Sequence, residues 1–324
     1  MDKRVIIKAK GGMGNRMLCA ASGILWAKVS GRRPCVDWRD EAYSREGENS
    51  FATFFNRPEL AAIPREDEVG ELFPLAWEGH LHRNVASMLH RYDPDKHQSL
   101  TIHRKYSVNP RRYDYTHDTV VFWYYMGQFA NLAPAVRKAL PGYGGLSTSQ
   151  IMAKAVREEL PLAQVIRTRV ERYQHEHWPD AGEVVGVHIR HSDRRSNLDA
   201  IERVVRARLA ECPGASLFVA TDNAGVERHY RETFERVLVT PKWFPPEGKA
   251  MHQSDVCQDP VENGIEALTD MYLLARCDRL VYPGRSTFSV ISRAVSGLPG
   301  SRVTDTDRWE LSNIAKRIVR RLTA

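Results

Sequence analysis

Four short stretches place anion-binding and acid–base side chains where apolar runs end. In GVHIRHSDRR (186–195), His188 and Arg190 fall on one face of an extended run by its two-residue period, and a charged loop follows. VATDN (219–223) runs from apolar residues into Asp222. In YPGRSTFS (282–289), a glycine and an arginine precede the hydroxyls of Ser286, Thr287 and Ser289, which open an apolar-periodic segment. Near the start, KAKGGMGNRM (8–17) sets Gly11, Gly12, Gly14, Asn15 and Arg16 between the run Val5, Ile6, Ile7 and the helical spacing Met17, Leu18, Ala21, Leu25.

The chemistry these residue types share is recognition of a nucleotide diphosphate. A guanidinium presents a planar fork of donors to phosphate oxygens. Hydroxyls and free N–H groups at a helix start accept phosphate. The Asp222 carboxylate can take the N–H groups of a base such as guanine, a geometry that phosphate cannot share. Each has a purely structural reading too. The glycine loop, which is neither G-x-G-x-x-G nor a Walker loop, would need only positive φ. His188 would be a satisfied strand histidine, Asp222 an N-cap for the helix beginning at 223, and Ser286 a cap. Arg190 resists such a reading, because an arginine inside an apolar strand end requires an anion.

The elements that must position these groups alternate between strand and helix. Expected strands are 5–7, 32–40, 119–127, 183–190, 215–221, 236–241 and 279–284. Expected helices begin after the glycine loop and cover 149–175, 199–211, 223–236, 264–277 and 286–297, with a short one in APAVRKALPG. Strands alternating with crossover helices predict parallel sheets, with ligands at the carboxyl ends of the strands. The Gly/Ser/Thr stretch 141–150 reads as a linker, and 43–118 is irregular. The expected organisation is an N-terminal α/β domain over 1–148, a more regular C-terminal one over 149–300, and a helix in 301–324. Within that last segment Trp309, Leu311, Ile314, Ile318 and Leu322 make one apolar face, and Lys316, Arg317, Arg320 and Arg321 a basic one. Packing on the N-terminal domain is the expectation, with peripheral contact to an inner membrane as the alternative.

The 324 residues carry 47 Lys and Arg against 40 Asp and Glu, a net charge of +7 that suits phosphate-bearing ligands. Nucleic-acid signatures are missing from the sequence. Five scattered cysteines form no C-x-x-C pair, which points to a reducing cytoplasm, as does a start (MDKRVII) unlike a secretory signal. Asp93-Pro94-Asp95 and Asp305-Thr306-Asp307 have D-x-D form, but neither follows an apolar strand, so both read as turns or caps and no metal is expected.

Taken in order, GGMGNRM, VDWRD, GVHIRHSD, ATDNAG and ALTDMYLLARCDRLVYPGRSTFS resemble the NodZ-like bacterial fucosyltransferases, and more distantly the α1,6-, α1,2- and protein O-fucosyltransferases. The resemblance spans both halves and is strongest over 183–295. It implies a GT-B-like pair of Rossmann-type domains facing across a cleft, GDP-fucose as donor, a glycan acceptor, inversion at the anomeric carbon and no metal. Under it Arg190 would neutralise the diphosphate, while His188, His191 and Asp222 contact the nucleotide. Asp270, Ser286, Thr287, Phe288 and Ser289 would line the same pocket, with Gly12, Gly14 and Asn15 approaching from the other domain. The α1,6 branch carries a second arginine where His191 stands, so Arg194 or Arg195 would take over its charge. Asp193 and Asp199 are the candidate general bases. A nucleotide- or carbohydrate-binding protein without turnover, and a transferase of another GDP-sugar, are the alternatives.

Overall fold

The computed structural model describes residues 3–40, 42–96, 102–124, 128–178, 182–192, 196–246 and 257–309. The chain divides into two compact units, Met1–Ile166 with Gln258–Ile265 and Arg167–Cys257 with Glu266–Ala324.

In chain order the first unit holds β1 (Arg4–Lys8), α1 (Met13–Ser30), β2 (Arg33–Asp37), α2 (Phe51–Phe54), β3 (Leu72–Phe73), α3 (Val85–Tyr92), α4 (His103–Tyr106), β4 (Thr119–Phe122), α5 (Gln128–Ala139) and α6 (Thr148–Glu159). Its sheet runs β2-β1-β4-β3, every pair parallel. Helix α1 is buried almost all round, as a helix apolar on every side must be, and packs on β1, α5 and α6. A Cβ at Gly23 would sit 2.8 Å from Ile7 Cγ1, so this glycine, worth about 1 kcal/mol against alanine in helix propensity, lets α1 lie on β1.

Helix α7 (Gln164–His177) contains the division between units, and β5 (Val184–Ile189), α8 (Leu198–Ala210), β6 (Ser216–Thr221), α9 (Ala224–Thr233), β7 (Val237–Leu238), α10 (Pro260–Arg276), β8 (Arg279–Tyr282), α11 (Thr287–Ser296) and β9 (Val303–Asp305) follow. The second sheet is also parallel, in the order β7-β6-β5-β8-β9. Val185, Val187 and Ile189 of β5 pack with Ile201 and Val205 of α8 and Val226 and Tyr230 of α9. Gly186, His188 and Arg190 therefore belong to the opposite face. A Cβ on Gly186 would lie 2.7 Å from Cys277 Sγ and 3.2 Å from Leu274 Cδ2, which shows that α10 covers that face at close range. The strand order reverses between β5 and β8, the switch point outside which ligands of such sheets bind.

Three expectations are corrected. The stretch 141–150 is no linker: Ser147 Oγ caps α6 by accepting from Gln150 N (3.3 Å), Gln150 Oε1 accepts from Ser147 N (2.8 Å), and α6 packs on α1. The compact division accordingly falls at 166/167 rather than 148/149. The single helix expected over 149–175 is two, because Pro161 has no N–H to donate and disfavours helical geometry at Leu160. Residues 303–305, placed in a terminal helix, instead form β9 alongside β8; residues 310–324 lie outside the described residues.

Candidate functional site

Arg190, half-buried, is the first residue beyond β5, and its carbonyl accepts from Ser196 Oγ at 2.6 Å. The loop that continues from it is tied to the end of β6. Asp222 Oδ1 accepts from His191 N (2.7 Å) and Ser192 N (3.2 Å), and Oδ2 accepts from Ser192 Oγ (2.6 Å). The N-cap of α9 is Asn223, whose Oδ1 accepts from Val226 N at 3.0 Å, so the capping role read for Asp222 passes to its neighbour. Asp222 fixes the backbone that carries His191.

His188 is 6% exposed and stacks on Phe288 of α11, with ring centroids 4.8 Å apart and planes 22° from parallel. Burial first, then the charges of Arg190 and Lys242, push its pKa from 6.5 down to about 3, so the imidazole is neutral at physiological pH. His188 Nδ1 is buried without a hydrogen-bond partner among the described residues, and so is His191 Nδ1. Two buried ring nitrogens without partners, beside a guanidinium at the switch point, suit a ligand that brings polar groups of its own.

Asp270 of α10 is 4% exposed and already partnered. Its Oδ1 accepts from Thr240 Oγ1 at 2.5 Å, and its Oδ2 forms an ion pair with Lys242. Thr240 and Lys242, in the segment after β7, partner this candidate site residue and were not singled out from the sequence. The signal was present: TPKWF puts a lysine next to aromatics just beyond a strand, as GVHIR does an arginine.

The start of α11 is built by the sheet edge. Asp305 Oδ1 accepts from Gly284 N (2.8 Å) and Asp307 N (3.0 Å), and Asp307 Oδ2 accepts from Arg285 N (2.7 Å). A Cβ at Gly284 would come within 2.4 Å of Asp305 Oδ2, so only glycine fits against that carboxylate. Asp305 ends strand β9, contrary to expectation, and the oxygens of the pair hold the loop before α11 rather than cap the helix. Asp93 of the other D-x-D accepts from Lys105 Nζ and Tyr106 Oη, each at 2.6 Å. Ser286 stands at the N-cap with its hydroxyl in no capping bond, and Thr287 is half-buried beside it. Ser289 differs from the expectation: its Oγ lies 3.1 Å from the Pro283 carbonyl and 3.3 Å from that of Ser286, spent on the backbone.

Gly12, Gly14 and Asn15 belong to the first unit. Gly11 has φ +83°, Gly12 is the N-cap of α1 without a side-chain cap, Gly14 is buried and Asn15 half-buried. Arg16, 1% exposed, donates Nε to the Gly11 carbonyl (2.7 Å), pairs with Asp40 and lies 5.1 Å from the Tyr43 ring. It is thereby a brace for the loop. Of the two candidate bases, Asp199 is exposed in the first turn of α8, where a carboxylate complements the helix dipole, and Asp193 lies outside the described residues with Arg194 and Arg195. Among the described residues no three His, Cys, Asp or Glu side chains gather as a metal site would require, and no helix is long and apolar enough to cross a membrane.

A family model described as Nodulation protein Z (NodZ) matches residues 148–320. Nodulation protein Z of Bradyrhizobium diazoefficiens is 24% identical, the match covering 90% of this chain and 79% of that protein. Among solved structures, NodZ alpha-1,6-fucosyltransferase soaked with GDP-fucose superposes with a TM-score of 0.61 at 23% identity, covering 97% of each chain. An Arabidopsis thaliana FUT1 mutant in complex with GDP gives 0.55 at 19% identity over 94% of this chain and 72% of the other. These likenesses show that the paired parallel-sheet architecture is that of GT-B-like fucosyltransferases.

Proposed function

The chain belongs to the nodulation protein Z family, and from that premise we propose that it transfers L-fucose from GDP-fucose to a hydroxyl of a GlcNAc-containing glycan such as a chitooligosaccharide. The observation that carries this reading is the buried, neutral His188 with an unpartnered Nδ1, stacked on Phe288 beside Arg190 at the sheet's switch point. The family membership and the shared fold with an enzyme soaked with GDP-fucose support the donor class.

In this reading the acceptor oxygen attacks the anomeric carbon as the bond from that carbon to the β-phosphate oxygen breaks, with inversion. Negative charge grows on the departing GDP. Arg190, just beyond β5, supplies the guanidinium that meets that charge, and a donor already in place costs no reorganisation when the bond breaks. Ser286, Thr287 and the open N-terminus of α11 add neutral donors to phosphate. His188 and Phe288 offer a flat wall and a ring nitrogen to the nucleoside, with Asp270 lining the same pocket. Asp222 acts through the loop, holding His191 in place. The acceptor proton passes to a carboxylate, for which Asp193 and Asp199 are the proposed candidates. Charge neutralisation by side chains makes the reaction metal-independent in this proposal, so transfer persists in EDTA. The five free cysteines support a cytoplasmic setting.

Binding tests the donor assignment directly. Isothermal titration and thermal shift with GDP-fucose, GDP, UDP-GlcNAc and CMP-sialic acid should give binding with the guanine nucleotides alone. A ligand at 100 times its dissociation constant adds about 2.7 kcal/mol of stability. Equal shifts with UDP-GlcNAc would contradict the assignment.

A further inference from the structure

Two lysine side chains are buried to 2% exposure, each paired with an aspartate, and they are bonded very differently. Lys8 Nζ donates to Asp37 Oδ2 (2.6 Å), the Leu81 carbonyl (2.5 Å) and the Arg83 carbonyl (2.8 Å), which uses all three of its hydrogens. That is a structural lysine, fully satisfied inside the first unit. Lys242 Nζ has the Asp270 carboxylate and no other hydrogen-bond acceptor among the described residues. Its nearest aromatic neighbour is Phe244, 5.9 Å from Nζ to ring centre. An ammonium taken out of water with two N–H bonds unused is costly, and folding tolerates it where acceptors arrive from elsewhere.

The surroundings say what those acceptors are. Thr240 Oγ1 holds Asp270 Oδ1 at 2.5 Å, so the carboxylate that aims the ammonium is itself fixed. The positive charges of Arg190 and Lys242 both act on His188, lowering its pKa after burial has done so. His188 Nδ1 and His191 Nδ1 are buried there without partners among the described residues. Spare donors on Lys242 and two cations whose charges act on one imidazole match an anion with several oxygens.

Resting on the proposed function, we infer that Lys242 is a second phosphate-binding cation of the donor site, aimed by Asp270 and Thr240, its two remaining N–H groups completed by oxygens of the nucleoside diphosphate. Lys242 then shares with Arg190 the charge that develops on the leaving GDP, and the ion pair with Asp270 keeps it preorganised between turnovers.

The test compares GDP with guanosine, which lacks the phosphates, in wild-type protein and in Lys242→Met. Guanosine is read by competition against GDP. A charged hydrogen bond to phosphate predicts a loss of roughly ten- to a hundredfold in GDP affinity, with guanosine affinity unchanged. A GDP affinity within twofold of wild type in the folded variant would overturn the inference, and equal losses for GDP and guanosine would confine Lys242 to holding Asp270. Should Lys242→Met fail to fold, a crystal structure of the wild-type protein with GDP decides. Nζ at about 3 Å from a phosphate oxygen is expected, and an Nζ without a phosphate contact overturns the inference. Wild-type protein that binds no GDP would instead refute the donor reading itself.

Discussion

Acid should unfold this protein partly through one side chain. His188 is buried against Phe288, and the charges of Arg190 and of Lys242, the latter paired with Asp270, act on its ring. Its imidazole titrates at about 3 in the fold against 6.5 in the unfolded chain. Between those values the unfolded state binds the extra proton, so stability is fully present above pH 6.5 and falls as pH drops towards 3. At 1.36 kcal/mol per pH unit, the whole gap amounts to roughly 5 kcal/mol, an upper figure because water entry would relieve part of it. Between pH 6 and pH 4 the share is about 2 to 3 kcal/mol. Urea unfolding of wild type and His188→Gln across that range gives the assay. The carboxylates titrate in both proteins and cancel in the comparison. The wild-type curve should be steeper by about 1 kcal/mol per pH unit, and superimposable slopes would refute a buried neutral histidine at this place.

Arg190→Ala should lower kcat by about a hundredfold or more while the melting curve holds, the scale of losing one charge-stabilising donor; near-normal turnover in the variant would return Arg190 to a structural role. Asp222→Ala strips His191 N and Ser192 N of their acceptor and should cost about 1 to 3 kcal/mol, together with a weaker grip on GDP, measured by denaturation and titration. Gly186→Ala drives a methyl to within 2.7 Å of Cys277 Sγ and should destabilise by about 1 to 3 kcal/mol, with part of the loss recovered when Cys277→Ala is added.

The second unit was the more legible because its central strands β5 and β6 are buried along their whole length and separated by helices of ordinary length, which writes the βα rhythm into apolar runs. The first unit hid β3, two residues long at the sheet edge, and three short helices whose boundaries rest on tertiary packing. The domain boundary was misplaced because composition marks a linker at 141–150, whereas the packing of α6 on α1 is a long-range fact that composition does not carry. In the candidate site, the placing of His188 and Arg190 on one face at the end of β5 could be read from strand period alone. The role of Asp222 could not, since a carboxylate after a strand looks the same whether it caps a helix, binds a base or, as here, grips the neighbouring loop. Lys242 was missed because β7 ends at Leu238, earlier than its sequence suggests, and the extended segment beyond it brings the lysine to Asp270.

In the proposed reaction this site breaks the bond between fucose and GDP and hands the sugar to a glycan. The most direct measurement incubates the purified chain with GDP-fucose carrying radiolabel in the sugar and a chitooligosaccharide, in EDTA, and follows free GDP and labelled oligosaccharide together. Both are expected in equal amounts from the wild-type protein, and at a rate about a hundredfold or more lower from Arg190→Ala. Wild-type protein that binds GDP-fucose yet releases no GDP, with chitooligosaccharide or without, would contradict the proposed reaction.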